Sequence, residues 1–104
     1  MVIEENLEAN IKEFLESAER DFTESRYNSA ISSYFKAIAS LCDLNIYKLK
    51  RILPKNHAER FLFLKTSFYK VYKILSPLFK EYTKTYNLRL GKKGALLFKE
   101  NAKT

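Results

Sequence analysis

Small residues and aromatic rings alternate at helical spacing through Arg26-Tyr27-Asn28-Ser29-Ala30-Ile31-Ser32-Ser33-Tyr34-Phe35-Lys36-Ala37-Ile38-Ala39-Ser40-Leu41. This run restricts the chain to closely packed helices. Tyr27, Ala30, Ile31, Tyr34, Ile38, Leu41 and Cys42 recur three or four positions apart, the period of one face of an α-helix. Ala30, Ser33, Ala37 and Ala39 leave little bulk on part of that helix. Flanking helices can therefore approach closely while the large rings fill the gaps. The pattern predicts a helix over about 26 to 48.

The same period runs on either side. Ile3, Leu7, Ile11, Phe14, Leu15, Ala18 and Phe22 predict an amphipathic helix over about 3 to 23, and Thr23 to Asn28 supply N-cap candidates and turn residues after it. Lys48-Leu49-Lys50-Arg51-Ile52-Leu53-Pro54-Lys55 reads as a basic connector closed by a proline. Asn56 and Glu59 then have capping-box spacing, which puts His57 in the first turn of a third helix. Phe61, Leu64, Phe68, Val71, Tyr72 and Leu75 form its apolar stripe, and the period continues through Leu78, Phe79, Tyr82 and Tyr86. At Ser76-Pro77 either a kinked helix or two abutting helices fits, and the favoured reading is a new helix capped by Ser76 with Pro77 at its first position, where the missing N–H costs nothing. Gly91 and Gly94 flank a basic turn, and Ala95 to Ala102 predict a final short helix. The expectation is an all-α, up-down four-helix bundle with a short additional C-terminal helix, in one domain spanning 1-104.

Size and composition agree with this reading. A chain of 104 residues buries about 60–65 % of the surface its unfolded form exposes. It holds fifteen Phe and Tyr but only two Gly and two Pro, which suits a helical core and not a turn-rich β domain. Lone Cys42 has no disulfide partner, and no Cys/His cluster suggests zinc, so a reducing, cytoplasmic location and no metal or cofactor are expected. The N-terminus opens with Glu4, Glu5 and Glu8 and lacks the basic flank and apolar run of a signal peptide. No membrane association is expected either, because the most amphipathic segment carries acids on its polar side. Glycine-rich phosphate loops, HExxH helices and glycine-flanked nucleophilic serines are all missing from the sequence.

Charge is divided sharply along the chain. Residues 1 to 24 carry eight acids and two bases, whereas residues 25 to 104 carry seventeen bases and four acids. Such an excess of bases points to an anionic partner. Lys48, Lys50, Arg51, Lys55 and Arg60 cluster at the connector and are the candidate nucleic-acid-binding residues, while Lys65, Lys70, Lys73, Lys80 and Lys84 recur along the later helices. Tyr47, Tyr69 or Tyr86 can stack unpaired bases if exposed. The alternative is a solvated face partly compensated by the acidic first helix, in a helical protein-interaction adaptor.

The order Ala18…Phe22…Tyr27-Asn28-Ser29-Ala30…Tyr34…Ala37…Leu41, then Asn56-His57, Phe61-Leu62…Phe68…Tyr72…Leu75 and Tyr82…Tyr86-Asn87 resembles the small HEPN domains of prokaryotes, over about residues 8 to 102. A single tetratricopeptide-like helix pair reads similarly over residues 18 to 42, but such repeats need neighbours and none is visible. The HEPN resemblance implies a four- or five-helix bundle, commonly a homodimer. It also implies a setting beside a minimal nucleotidyltransferase, in RNA cleavage or in a toxin-antitoxin pair.

Active members of that family carry an Arg followed by a His, and here Arg51 and His57 have five residues between them. The resemblance makes them the candidate catalytic pair of a metal-independent endoribonuclease. A neutral His can take the proton of a ribose 2′-hydroxyl while a guanidinium stabilises phosphate charge. With one His per chain, separate acid and base roles require two copies, so activity predicts a two-fold interface near His57. Three readings therefore stand: a module that binds RNA or nucleotide phosphate, a nuclease, and a helical protein-interaction adaptor.

Overall fold

Helix α2 (Tyr27–Lys50) is the centre of the fold, and the other four helices pack around it. The structure is a computed structural model that describes residues 2–102. In chain order its further elements are α1 (Ile3–Thr23), α3 (His57–Ser67), α4 (Tyr69–Lys84) and α5 (Gly91–Ala102). Every regular element among the described residues is an α-helix, which is the all-α bundle the sequence predicts. α1 lies against α2 along much of its length, and α5 returns to pack on α2 and reaches α1 through Lys99.

The small and aromatic residues of α2 act as their spacing dictates. Ala30, Ile31, Tyr34, Phe35 and Ala37 are buried, and Ala18 of α1, Leu64 of α3, Leu75 and Leu78 of α4, and Ala95 and Phe98 of α5 close the core. Full burial of each large apolar side chain contributes about 1.5–3 kcal/mol. Around Phe35 the rings form a continuous cluster. Tyr82 stacks on it with centroids 4.5 Å apart, and Phe79 lies 5.6 Å away. Tyr34 is also buried, with its hydroxyl in the neighbourhood of Glu19. Burial first, then the Glu19 carboxylate, pushes its pKa upward. Lys99 of α5 donates to Glu19 at 3.0 Å, so this acid links α1 to α5.

Three sequence expectations differ from the structure. The break between the third and fourth helices falls at Phe68 (φ −137°, ψ 58°), and Pro77 lies inside α4. The apolar period passes through Phe68 without a skip, so periodicity cannot reveal that bend. Thr66 marks it instead, because its hydroxyl bonds the carbonyls of Leu62 and Phe63 at 3.0 and 3.2 Å, a local bond that competes with regular helix. Pro77 is tolerated because Pro77 and Lys73, whose carbonyl loses its helical donor, are both solvent-exposed.

The second correction is at the C-terminal helix, which begins at Gly91 and not at Ala95. Gly91 has φ +72°, the left-handed region that suits glycine. Gly94 is therefore a helical residue at a close approach. A Cβ there would lie 2.9 Å from Leu90 Cβ and 3.5 Å from Ile31 Cδ1.

The turn into α2 also differs from its predicted capping. Arg26 is the N-cap residue and its side chain caps nothing. Asn28 instead binds the segment before α5: its amide donates to the Leu88 carbonyl at 2.6 Å, and its Oδ1 accepts from the Leu90 N–H at 3.0 Å. This clasp fixes α5 to the start of α2.

Candidate functional site

The connector between α2 and α3 is built from its ends. Arg51 terminates α2 in the left-handed region (φ 58°), its N–H bonding the Tyr47 carbonyl. At the other end the Asn56 side chain accepts from the Glu59 N–H at 2.8 Å, as the capping spacing predicts. Glu59 reaches back to the N–H of Lys55 at 3.3 Å, one residue earlier than the usual capping box. The cap fixes the first turn of α3, and with it His57 and Arg60.

Arg60 faces α2 and grips Asp43. Its Nε donates to Oδ1 at 2.6 Å and its Nη2 to Oδ2 at 2.9 Å. The two side chains are only 12 % and 13 % exposed, so this bidentate pair is largely removed from water. The third guanidinium nitrogen, Nη1, lies 2.9 Å from His57 Nδ1. A guanidinium has no acceptor, so Nδ1 is the acceptor and the neutral imidazole carries its proton on Nε2. The His57 ring packs 4.8 Å from Phe79 and 5.9 Å from Phe35. Burial against those rings, then the Arg60 charge, lowers its pKa, and Asp43 opposes them. His57 is thus held as a neutral, oriented hydrogen-bond donor.

A cavity of about 190 Å³ opens beside this group. Phe35 and Tyr82 supply its aromatic wall, and Lys36, Ser40, His57 and Arg60 its polar groups. Lys36 Nζ stands 5.9 Å over the Phe14 ring.

The sequence-predicted residues divide into two sets. Arg51 and His57 do not share an environment. Arg51 Nη1 bonds Glu4 of α1 at 3.3 Å, and its guanidinium lies 5.4 Å from the Tyr47 ring, whereas His57 turns to Arg60. Lys48, Lys50 and Lys55 are exposed and form no ion pair among the described residues. Arg60, grouped with them by sequence, is instead committed to Asp43. Of the three candidate stacking tyrosines, Tyr69 and Tyr86 are exposed and Tyr47 is half-buried.

Sequence reasoning missed Asp43, Lys36, Ser40 and Tyr82. Asp43 did leave a signal, being the only acid between Ser25 and Ala58. A lone carboxylate within a basic stretch, on a helix otherwise packed with apolar residues, marks a place where one base is to be neutralised. Among the described residues no three His, Cys, Asp or Glu side chains gather as a metal site would require, and no helix is long and apolar enough to cross a membrane. Comparison of the chain with protein-family models, curated proteins and solved structures finds no match.

Proposed function

We propose that this chain is a HEPN-like accessory module that binds RNA or nucleotide phosphate. The observation that carries the reading is the set of exposed, unpaired lysines at the connector, Lys48, Lys50 and Lys55, beside the largely exposed Arg51. Ion pairs with α1 absorb little of the basic excess: Arg51 meets Glu4 and Lys99 meets Glu19, while most of the acids of α1 face water. Unpaired exposed ammonium groups bind phosphate by releasing its counterions.

Fluorescence anisotropy with a labelled single-stranded RNA, repeated over a salt series, tests this. Wild type binds with steep salt dependence, and the Lys48→Ala/Lys50→Ala/Lys55→Ala variant loses about two units of log–log salt slope, at roughly 0.7 per phosphate contact. No affinity at low salt overturns the reading and favours the protein-interaction adaptor.

The nuclease alternative has less support. A general base at His57 needs a free ring nitrogen facing the substrate, yet Nδ1 is engaged by Arg60 and Nε2 carries the proton. Incubation with mixed RNA in EDTA, wild type beside His57→Ala, separates the two: cleavage lost on substitution favours the nuclease. The homodimer and the toxin-antitoxin or nucleotidyltransferase setting rest on the HEPN resemblance. Sedimentation and co-purification with the product of a neighbouring nucleotidyltransferase gene test them.

A further inference from the structure

We propose that the cavity beside His57 is a subsite for one phosphate group, the phosphomonoester at the end of a nucleotide or RNA chain, held by Lys36, Ser40, His57 and Arg60. The proposal rests on the phosphate-binding reading and deepens it: the connector lysines meet the backbone, and this cavity takes a terminus.

Its polar lining suits an anion. Each of the four groups can donate a hydrogen bond, and no carboxylate lines the cavity. Asp43, the acid that Arg60 holds, has both oxygens occupied by that guanidinium. Arg60 has five N–H groups, of which two meet Asp43 and one meets His57, leaving two for a ligand. Lys36 forms no ion pair among the described residues and only overlies the Phe14 ring. Its ammonium group is therefore not balanced by any acid. Since His57 Nδ1 accepts from Arg60, its ring offers a ligand only the Nε2–H. A lining made of donors with a net positive charge selects an anion over a neutral or cationic group.

Its size and rigidity suit a single group. At about 190 Å³ the cavity is smaller than the roughly 300–1,000 Å³ of pockets that enclose a whole small molecule, so it fits a fragment of a ligand. Its wall is rigid, because Phe35 is buried and stacked on Tyr82 with planes 10° apart. Arg60 is equally fixed by its bidentate hold on Asp43, so little side-chain freedom remains to be lost on binding.

The only histidine of the chain supplies an unambiguous probe. The His57 Cε1–H resonance is followed by NMR during titration of the full chain with 5′-AMP, inorganic phosphate or adenosine, while RNA binding is measured in parallel. AMP and phosphate are expected to shift the signal saturably and to raise the pH midpoint of His57, whereas adenosine leaves it unchanged. Lys36→Met, at an exposed position that the fold does not need, weakens AMP binding about tenfold, the loss of one charge-assisted contact. Ser40→Ala weakens it less. The Lys48→Ala/Lys50→Ala/Lys55→Ala variant keeps the AMP response while losing RNA affinity. An equal response to adenosine, an unsaturated response to AMP, or an unchanged affinity in Lys36→Met overturns the subsite. If RNA binding persists in such a case, the general phosphate-binding reading survives. If wild type binds neither RNA nor AMP, both fall.

Discussion

Arg60 of α3 holds both carboxylate oxygens of Asp43 of α2, with N···O distances of 2.6 and 2.9 Å. They lie seventeen positions apart in sequence, and the pair is a polar bond that fastens α3 to the central helix. Its shielding from water decides what it is worth. Breaking a shielded pair leaves one charge uncompensated, whereas replacing both partners by apolar groups avoids that penalty.

Asp43→Asn is therefore expected to lower unfolding free energy by about 3 kcal/mol. Asp43→Leu combined with Arg60→Met should lose much less than either single change. Urea denaturation of wild type, Asp43→Leu, Arg60→Met and the double variant measures the coupling directly. Additive losses would show that the pair contributes no shared energy.

His57 makes stability depend on pH in a defined direction. Its folded pKa lies below the unfolded value of about 6.5, so between the two the unfolded chain binds more protons. The contribution of His57 is complete above about pH 6.5 and is lost as pH falls through the folded value. Wild type minus His57→Gln, compared by urea unfolding from neutral toward acid pH, should shrink across that window. The Cε1–H titration midpoint should fall below 6.5 as well.

Much of the fold was legible in the sequence because it depends on local chemistry. The period of Ile3 to Phe22 and of Tyr27 to Cys42 fixed α1 and α2 to within a residue or two, and the Asn56 cap was readable from its spacing to Glu59. The bend at Phe68 was not legible, since the apolar stripe runs through it and Pro77 offered a more obvious breaking point. In the candidate site, His57 and Arg60 were visible as residue types, but their arrangement was not. Asp43 reaches Arg60 only through the packing of α3 on α2, and Lys36 and Tyr82 reach the same cavity from separate helices. Proximity in sequence instead suggested Arg51, which the fold turns toward Glu4.

Asn28 carries the other long-range polar link. Asn28→Ala removes the bonds to Leu88 and Leu90 and should cost about 1–2 kcal/mol. Asn28→Asp keeps the acceptor for the Leu90 N–H but loses the donor and should fall between. Hydrogen exchange at the Leu90 amide reports the clasp locally. Unchanged exchange in Asn28→Ala would mean that packing alone fixes this segment.

Cys42 is buried, and its thiol pKa is pushed up to about 11, by burial first and then by Asp43, with Arg60 opposing. The thiolate is the reactive form, so a thiol reagent at about pH 8 should leave native protein unmodified and label it on denaturation. Asp43→Asn disturbs the neighbouring pair, and the rate of labelling then follows the frequency of local opening.

The packing of α2 against both α1 and α5 also separates short-range from long-range events in folding. α1 and α2 are joined by a turn of three residues, so their contacts can close progressively outward from a short loop. The bond from Asn28 to Leu90 spans 62 residues and must close a far larger loop. The short turn is expected to let the α1–α2 hairpin close first, with docking of α5 carrying the larger loop-closure cost. Substitutions at Asn28 or Gly94 bear on that later step, whereas Ala18 and Ala30 belong to the hairpin that precedes it.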